Sequence, residues 1–595
     1  MGCLFGYCGQ PAPGLLAQMA EILSHRCKCG WEKTRTDAGA DHVVEIGHGL
    51  PPWSPAPRVA KLSERRIAFG YSGVIFNMET PPGRDEDTPR IPDGLVRDPE
   101  KGLQALEGAF VAALAQGDVT HLVRDPAGVK ALYWTRHRDR LVFASEIKAL
   151  FADPSVHRTL RPGALPEYLT FSFVPGENTM FRDIYELQPG TVLTCRNGQV
   201  TRNRHFRSEA TEWIEGNPRS AEDCAAKVRA DLETSVRECC NLTETPPAVF
   251  LSGGIDSSAV LALAAREFPG VPLKTFSIHF GSPYANENEF VSLMTARYET
   301  DHSWLEIRPK RFLKRMREII WKLDDPIGDP ITVPNFLISE AASRVARVVL
   351  NGEGGDPCFG GPKNIPMMLA RLYGPLPGES ENSWQERNYL RSYRKCFTDL
   401  ERILNPDVYR EAGGEEALTA IITPFLTARK PARFLNRLMN INIRLKGANL
   451  ILVKVDKMSS ANGLLALPPL FSKRIIETSM ACPPHFKLRG NVEKWVLKRA
   501  VADILPHPII ERPKSGMMVP VRHWLRKEMR GYAKKVLSKK QLRQVGLFNP
   551  DYVHSLLRYD KAEARNNRFG LKLWMLITFM LWYDQMVEAP RVNGG

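Results

Sequence analysis

Apolar and polar positions alternate over short stretches through roughly the first 210 residues, and then the rhythm changes. Residues 67–76, 121–124, 131–135, 141–144 and 190–195 read as short strands separated by Gly and Pro. Residues 102–116 carry Leu103, Leu106, Phe110, Ala113 and Leu114 at the spacing of one helical face, which predicts a helix. The mixture predicts a layered α+β domain over 1–210, followed by a polar linker at 207–221. From 222 onward strands and helices alternate, the signature of a parallel sheet. A helix over 222–240 leads to a strand at 248–251, a helix at 259–268, a strand at 274–280, a helix at 290–298 and a strand at 303–307. The helix predicted over 311–323 spaces Phe312, Met316, Ile319, Ile320 and Leu323 by three or four, and a further helix at 335–344 feeds a strand at 345–350. Beyond 370 the pattern is mostly helical to the end, so a second domain is expected over 222–595.

Length and composition narrow the class. A chain of 595 residues exceeds one hydrophobic core, and 43% hydrophobic with 25% charged residues is an ordinary soluble composition. The net charge of +15 fits nucleic acid or an acidic partner, but no Lys/Arg stripe interleaved with aromatics accompanies it, so no nucleic acid is expected. The densest basic run, 512–543, also has helical apolar spacing and reads as a solvated face. The 11 cysteines lack framework spacing and no secretory signal is visible, which predicts a reduced, cytoplasmic compartment. The apolar run 571–582 is too short to cross a bilayer and reads as a buried helix, so no membrane partner is expected.

Candidate chemistry begins where the strand at 248–251 runs into Leu251-Ser252-Gly253-Gly254-Ile255-Asp256-Ser257-Ser258. A Gly-Gly turn between strand and helix gathers backbone N–H groups and hydroxyls at a helix N-terminus, where an anion is stabilised. No Gly-Lys-Ser/Thr follows, so this is not a Walker loop; it resembles the pyrophosphate loop of enzymes that split ATP between the α- and β-phosphates. A ligand-free glycine turn is the structural alternative. A second turn, Asn351-Gly352-Glu353-Gly354-Gly355-Asp356, follows another predicted strand. Ligands of doubly wound sheets sit beyond the carboxyl ends of the strands, so the two turns can face one nucleotide. Asp256 and Asp356 are candidate Mg²⁺ ligands through the pyrophosphate oxygens, and Glu353 is a candidate base or orienter for an incoming amine. A turn-forming aspartate and a plain exposed glutamate are the competing readings.

Further blocks follow in order: Thr275-Phe276-Ser277-Ile278, Asn286-Glu287, Thr300-Asp301-His302, Asp325-Pro326-Ile327-Gly328-Asp329-Pro330, Phe359-Gly360-Gly361, Asp456-Lys457-Met458-Ser459 and Arg512-Pro513-Lys514-Ser515-Gly516. With them, most of 225–520 resembles the synthetase domain of the asparagine synthetase family. The resemblance implies an adenine nucleotide α-hydrolase-like parallel sheet, ATP and Mg²⁺, and a ligase in which a carboxylate attacks the α-phosphate and an amine then displaces AMP. It implies that Ser252, Gly253, Gly254, Asp256, Ser257 and Ser258 bind the phosphates. It also implies that Leu251 and Ile278 line the adenine pocket, with a backbone contact from Gly352. Lys494, in Val492-Glu493-Lys494-Trp495-Val496-Leu497, matches the family's lysine for the tetrahedral oxyanion, a catalytic role shared with Glu353. The departures concern the acyl side. Leu465, Leu467 and Ser472 replace a glutamate, an arginine and an aspartate, while Pro357 and Pro362 replace an acidic residue and a tyrosine. Free aspartate is therefore in doubt as the substrate.

The first domain resembles the family's Ntn-hydrolase-like glutaminase, with an α-β-β-α layering implied, through Leu122-Val123-Arg124-Asp125-Pro126-Ala127-Gly128-Val129-Lys130, Phe143-Ala144-Ser145-Glu146-Ile147-Lys148-Ala149-Leu150 and Tyr168-Leu169-Thr170-Phe171. A working member begins Met-Cys-Gly and uses the freed cysteine as an N-terminal nucleophile. Here the chain begins Met1-Gly2-Cys3, and Gly47-His48-Gly49-Leu50, Ser72-Gly73-Val74-Ile75-Phe76-Asn77 and Arg26-Cys27-Lys28-Cys29 stand where the glutamine-gripping elements belong. The domain reads as a scaffold without glutaminase chemistry. Cys3, Cys8, His25, Cys27 and Cys29 are either a metal cluster or unpaired thiols. The expected function is an AMP-forming amide ligase acting on a small-molecule or peptide carboxylate with ammonia or an amine, as a possible homodimer. Ordinary glutamine-hydrolysing asparagine synthesis and a non-catalytic nucleotide-binding regulator are the alternatives.

Overall fold

The computed structural model describes residues 2–39, 42–50, 59–62, 66–78, 92–214, 220–282, 284, 286–375, 377–379, 383–392, 395–512, 517–558 and 569–588. Its N-terminal strands are β1 (Leu4–Gly9), β2 (Trp31–Gly39), β3 (His42–Gly49), β4 (Val59–Leu62), β5 (Ile67–Ile75), β6 (Gly108–Gln116), β7 (Val119–Arg124), β8 (Tyr133–His137), β9 (Arg140–Ala144), β10 (Ile184–Glu186), β11 (Thr191–Arg196) and β12 (Gln199–Arg204). They form two six-stranded sheets, ordered β10-β8-β9-β1-β3-β2 and β12-β11-β7-β6-β5-β4. Leu4, Val44, Ile46 and Phe143 of the first sheet pack against Ala68, Val111, Ala113, Leu122 and Leu193 of the second. The helix Leu15–Ile22 covers the first sheet through Leu15, Leu16 and Met19, and the helices Asp93–Arg97 and Pro99–Gln104 cover the second through Leu95, Val96 and Leu103. The result is the expected α-β-β-α sandwich, with an apolar core between the sheets.

Two local expectations fail here. The predicted helix 102–116 is instead the end of the helix Pro99–Gln104 followed by strand β6. Residues 109–115 are all apolar, so their spacing fits either period. The sheet needs both faces: Phe110, Ala112 and Leu114 point to one core while Val111, Ala113 and Ala115 point to the other. The stretch expected as a linker is partly fixed. Residues Ser208–Thr211 form a 3₁₀ turn, and the Glu212 carboxylate accepts from Ala432 N at 2.5 Å and Arg433 N at 3.1 Å.

The second sheet system is parallel: β13 (Ala248–Phe250), β14 (Lys274–His279), β15 (Asp301–Glu306), β16 (Val348–Leu350) and β17 (Leu465–Leu467), ordered β15-β14-β13-β16-β17. Both faces are buried. Val249, Leu251, Val348, Leu350, Leu465 and Leu467 pack with the helices Ala221–Cys240 and Ile255–Glu267, while Ala248, Val349 and Ala466 pack under Ile338 and Ala342. Strand order runs outward from β13 through β14 to β15, then jumps back to β16 on the other side of β13. The crevice between β13 and β16 is therefore the topological switch point, where ligands of such sheets bind.

The remainder is helical apart from β17 and a short hairpin of Leu488–Arg489 with Val492–Glu493. Between the helices Phe434–Ile441 and Leu452–Ser460 lies a π-helix, Asn442–Ile451. The helix Phe569–Met586 is buried and ties the halves together: Tyr168 Oη donates to Met575 O at 2.9 Å and Trp582 Nε1 to Asp324 O at 2.6 Å. Among the described residues no helix is long and apolar enough to cross a membrane. Buried charges also join the halves. Lys130 Nζ lies 2.5 Å and Arg26 Nη2 3.4 Å from Asp456, and Lys457 and Lys148 meet Asp324 at 3.1 and 3.2 Å. Burial pushes against the charged form, yet His25, Lys148 and Arg26 hold the Glu146 carboxyl well below the usual range.

Candidate active site

Two glycine turns emerge side by side from the ends of β13 and β16. At the first, Gly253 takes φ of +71°, and a Cβ there would lie 2.9 Å from Phe290 Cβ and 3.0 Å from Val291 N. Only glycine lets the turn lie against the helix Asn288–Arg297. The hydroxyls are organised inside the loop: Ser257 Oγ accepts from Ser252 N at 3.1 Å and lies 3.0 Å from Ser252 Oγ, and Gly254 N donates to Ser252 Oγ at 3.4 Å. Ser258 is buried in the first turn of the helix Ile255–Glu267. Leu251 is buried at the strand end, held by Leu251 N donating to Phe276 O at 2.9 Å and Ser277 Oγ donating to Leu251 O at 2.5 Å. Ile278 is half-buried on the adjacent strand β14.

The second turn touches the first through bare glycines. A Cβ on Gly352 would lie 2.5 Å from Ser257 N, and one on Gly355 would lie 2.0 Å from Asp256 Oδ1. Asn351 N donates to Leu467 O at 3.1 Å, and Asn351 Oδ1 accepts from Glu353 N at 3.0 Å, so the edge strand β17 sets the turn's height. Leu465 and Leu467 therefore act as sheet core rather than as site residues. Glu353 is half-buried within the turn. Asp356 opens a helical turn, Gly355–Phe359, and its carboxylate faces that of Asp256.

Lys494 stands between the two aspartates. Its Nζ lies 2.5 Å from Asp256 Oδ2 and 2.5 Å from Asp356 Oδ1. The side chain is 1% exposed, and the backbone is left-handed at φ +54°, ψ +32°, just before the helix Trp495–Ala500. A non-glycine residue in that region costs about 1–3 kcal/mol and recurs where geometry over-determines it. Burial lowers the lysine's proton affinity, but Asp256 and Asp356 more than offset it and hold the ammonium above its usual range. The two carboxylates thus share one cation, Lys494.

Arg512 packs against the first turn, a placement that its local charge pattern concealed. It lies in the run expected to be a solvated face, yet its side chain is 9% exposed. Its Nη1 donates to Gly253 O at 3.0 Å, it pairs with Glu287, and its guanidinium lies 4.1 Å over the Phe290 ring. The Arg-Pro-Lys-Ser-Gly block was the only signal for it; residues 513–516 of that block lie outside the described residues.

The N-terminal pocket is filled. A Cβ on Gly2 would lie 2.0 Å from Gly49 O and 2.4 Å from His48 Nε2, so no side chain fits there. Gly2 O instead accepts from Arg26 Nη2 at 3.3 Å and Ser72 Oγ at 3.2 Å. Cys3 and Cys27 sulfurs lie 3.2 Å apart, His25 faces Glu146 at 3.1 Å, and Cys29 is exposed. These side chains form separate contacts, and among the described residues no group of three or more His, Cys, Asp or Glu could hold a metal ion.

Two glycine turns at the switch point of a parallel sheet, joined to an Ntn-type sandwich, are the architecture that the family comparisons assign to ATP-dependent amidotransferases and ligases. Residues 227–584 match the asparagine synthase family and residues 87–206 the glutamine amidotransferase domain. The chain belongs to the asparagine synthase family, whose members use ATP and join an amine or ammonia to a carboxylate. It is 26% identical over 558 residues to asparagine synthetase [glutamine-hydrolyzing] 1 of Bacillus subtilis, covering 88% of this chain and 84% of that one. It is 27% identical over 602 residues to a putative asparagine synthetase [glutamine-hydrolyzing] of Mycobacterium bovis, covering 93% of this chain and 89% of that one.

Proposed function

We propose that this chain forms an amide by adenylating a carboxylate, using ammonia or a substrate amine rather than glutamine hydrolysed in its N-terminal half. The observation that carries the reading is the meeting of the two glycine turns with Lys494 seated between Asp256 and Asp356. A carboxylate oxygen attacks the α-phosphorus, the bond to the bridging oxygen breaks, and pyrophosphate leaves. The amine nitrogen then attacks the acyl carbon, AMP departs with the bonding pair, and the nitrogen gives up a proton, for which Glu353 is the acceptor. Ser252, Gly253, Gly254, Ser257 and Ser258 hold the phosphates, Leu251 and Ile278 flank the adenine, and Gly352 approaches through its backbone. Asp256 and Asp356 would hold Mg²⁺, which supplies charge neutralisation of the pyrophosphate. Lys494 then serves the tetrahedral oxyanion. A cytoplasmic location, where ATP is supplied, belongs to this reading.

The filled space around Gly2 supports the ammonia or amine reading, since the position of an N-terminal nucleophile has no room for a side chain. The names of the curated relatives favour a second reading, asparagine formed from aspartate. The test is a pyrophosphate-release screen over carboxylates, including aspartate, with ammonia, glutamine and peptide amines. Release that disappears in Asp256→Ala is expected. Turnover sustained by glutamine alone, with glutamate formed, would overturn the donor assignment, and no release with any carboxylate would overturn the reaction.

A further inference from the structure

The hydroxyls of the first turn gather on Ser252 N, Gly254 N and Gly254 O, whereas the Gly253 carbonyl accepts from Arg512 Nη1 at 3.0 Å. A trans peptide carries its C=O and N–H on opposite sides. A cation on the Gly253 oxygen therefore turns the Gly254 N–H the other way, toward Ser252 Oγ, which it reaches at 3.4 Å. This peptide joins two glycines, and Gly253 is left-handed at φ +71°, so its rotation meets little steric resistance. A flipped peptide would offer a carbonyl oxygen where an anion needs an N–H. The orientation thus depends on what holds the carbonyl.

Arg512 is itself seated with care. Its guanidinium pairs with Glu287, and both side chains are largely buried. The guanidinium carbon lies 4.1 Å from the centroid of the Phe290 ring, and Phe290 in turn abuts Gly253, where a Cβ would lie 2.9 Å from Phe290 Cβ. Glu287 and Phe290 belong to one element, because Val291 N of the helix Asn288–Arg297 donates to Glu287 O at 3.1 Å. From the other side, Arg512 N donates to Pro508 O at 3.2 Å at the end of the helix His507–Glu511. Tyr298 Oη donates to Ile504 O at 2.6 Å, which fastens the end of the helix Asn288–Arg297 to the chain ahead of Arg512. Segments near 253, 287 and 512 therefore meet at one carbonyl. The planar guanidinium suits the task, since its donors can serve a carboxylate and a carbonyl while its face stacks on a ring.

We propose that Arg512 is a positioning residue for the pyrophosphate loop: seated on Glu287 and Phe290, it locks the Gly253–Gly254 peptide so that the Gly254 N–H faces the pyrophosphate. The inference rests on the adenylation reading for the identity of the anion. Arg512 acts on that anion through the loop backbone, and Glu287 acts through Arg512.

The experiment is isothermal titration of the full chain with magnesium pyrophosphate and, separately, with AMP, alongside thermal melting. Arg512→Met is expected to weaken pyrophosphate binding about tenfold while AMP affinity stays within about twofold. Arg512→Lys, whose ammonium still donates to both acceptors, should keep pyrophosphate affinity within about threefold of the parent. Glu287→Gln should cost about threefold in pyrophosphate affinity alone and add nothing to Arg512→Met in the double variant, because the two act as a unit. If Arg512→Met does not fold, the comparison of pyrophosphate with AMP in Glu287→Gln decides. Unchanged pyrophosphate affinity in the variants, equal losses for pyrophosphate and AMP, or additive losses in the double variant would overturn the positioning role. Pyrophosphate release run in parallel separates the two claims. Its absence with every carboxylate, with the expected variant pattern in pyrophosphate binding, removes the adenylation reading alone. Release from the parent, with pyrophosphate affinity unchanged in the variants, removes the positioning role alone.

Discussion

Gly352→Ala tests whether the contact between the two turns is what makes the site. The added methyl would lie 2.5 Å from Ser257 N, 2.8 Å from Ser257 Cα and 2.9 Å from Asp256 C, all backbone atoms. Ordinary contact begins near 3.4 Å, so one turn must retreat by about 1 Å. Gly352 does not occupy a left-handed conformation, so the substitution adds bulk without backbone strain. The retreat would separate the pyrophosphate loop from Asp356 at the point where both must hold one ligand. Misplacement of that size costs catalysis on the order of 10²-fold, and overpacking costs about 1–3 kcal/mol of stability. The assay is ATP-dependent pyrophosphate release together with thermal melting. Gly94→Ala serves as a control, because its methyl would meet nothing within 4 Å. Pyrophosphate release within about threefold of the parent would refute the claim that the two turns act as one site.

Other consequences follow from the same contacts. Lys494→Met leaves Asp256 and Asp356 facing one another without their shared cation; a fall in melting temperature, partly restored by Mg²⁺, is expected, with amide formation reduced on the order of 10²–10³-fold. No recovery with Mg²⁺ would remove the two carboxylates from metal binding. Asp325 is pushed by burial up to about 8, with Asp324 adding to the rise and Lys457 opposing it, against 3.8 as its ordinary value. Between those values the folded protein holds a proton the unfolded chain has lost, so this group's contribution to stability falls as pH rises toward 8. Asp325→Asn should flatten that slope, with a gain of roughly 1–3 kcal/mol at the alkaline end, read by denaturant unfolding across the window. An unchanged slope would count against it. Gly2→Cys should not create glutaminase activity, since Gly49 O and His48 Nε2 occupy the room a side chain needs; glutamate release from glutamine is the readout.

The legibility of this protein in its sequence follows the range of the interactions. The strand–turn–helix around Ser252 and Ser257 is local, and its glycines, hydroxyls and flanking apolar runs are contiguous, so the loop and the sheet it crowns could be read directly. Lys494 was recognisable through its family match alone, because nothing near it reveals that a left-handed residue will insert between Asp256 and Asp356. Residues 109–115 misled because an unbroken apolar run suits a helix and a doubly buried strand equally, and only the neighbouring sheets decide. Arg512 misled in the opposite sense: its neighbours are basic and exposed, while its own guanidinium turns inward to Gly253 O and Glu287.

The central claim is that a carboxylate attacks the α-phosphate of ATP at the Asp256–Lys494–Asp356 centre. Its most direct test uses a carboxylate that supports turnover, labelled with heavy oxygen in both positions, with ammonia as the amine and mass spectrometry of the nucleotide product. The account predicts one labelled oxygen in each AMP, unlabelled pyrophosphate, and no turnover in Asp256→Ala. Label recovered in inorganic phosphate, with ADP as the nucleotide product, would contradict it.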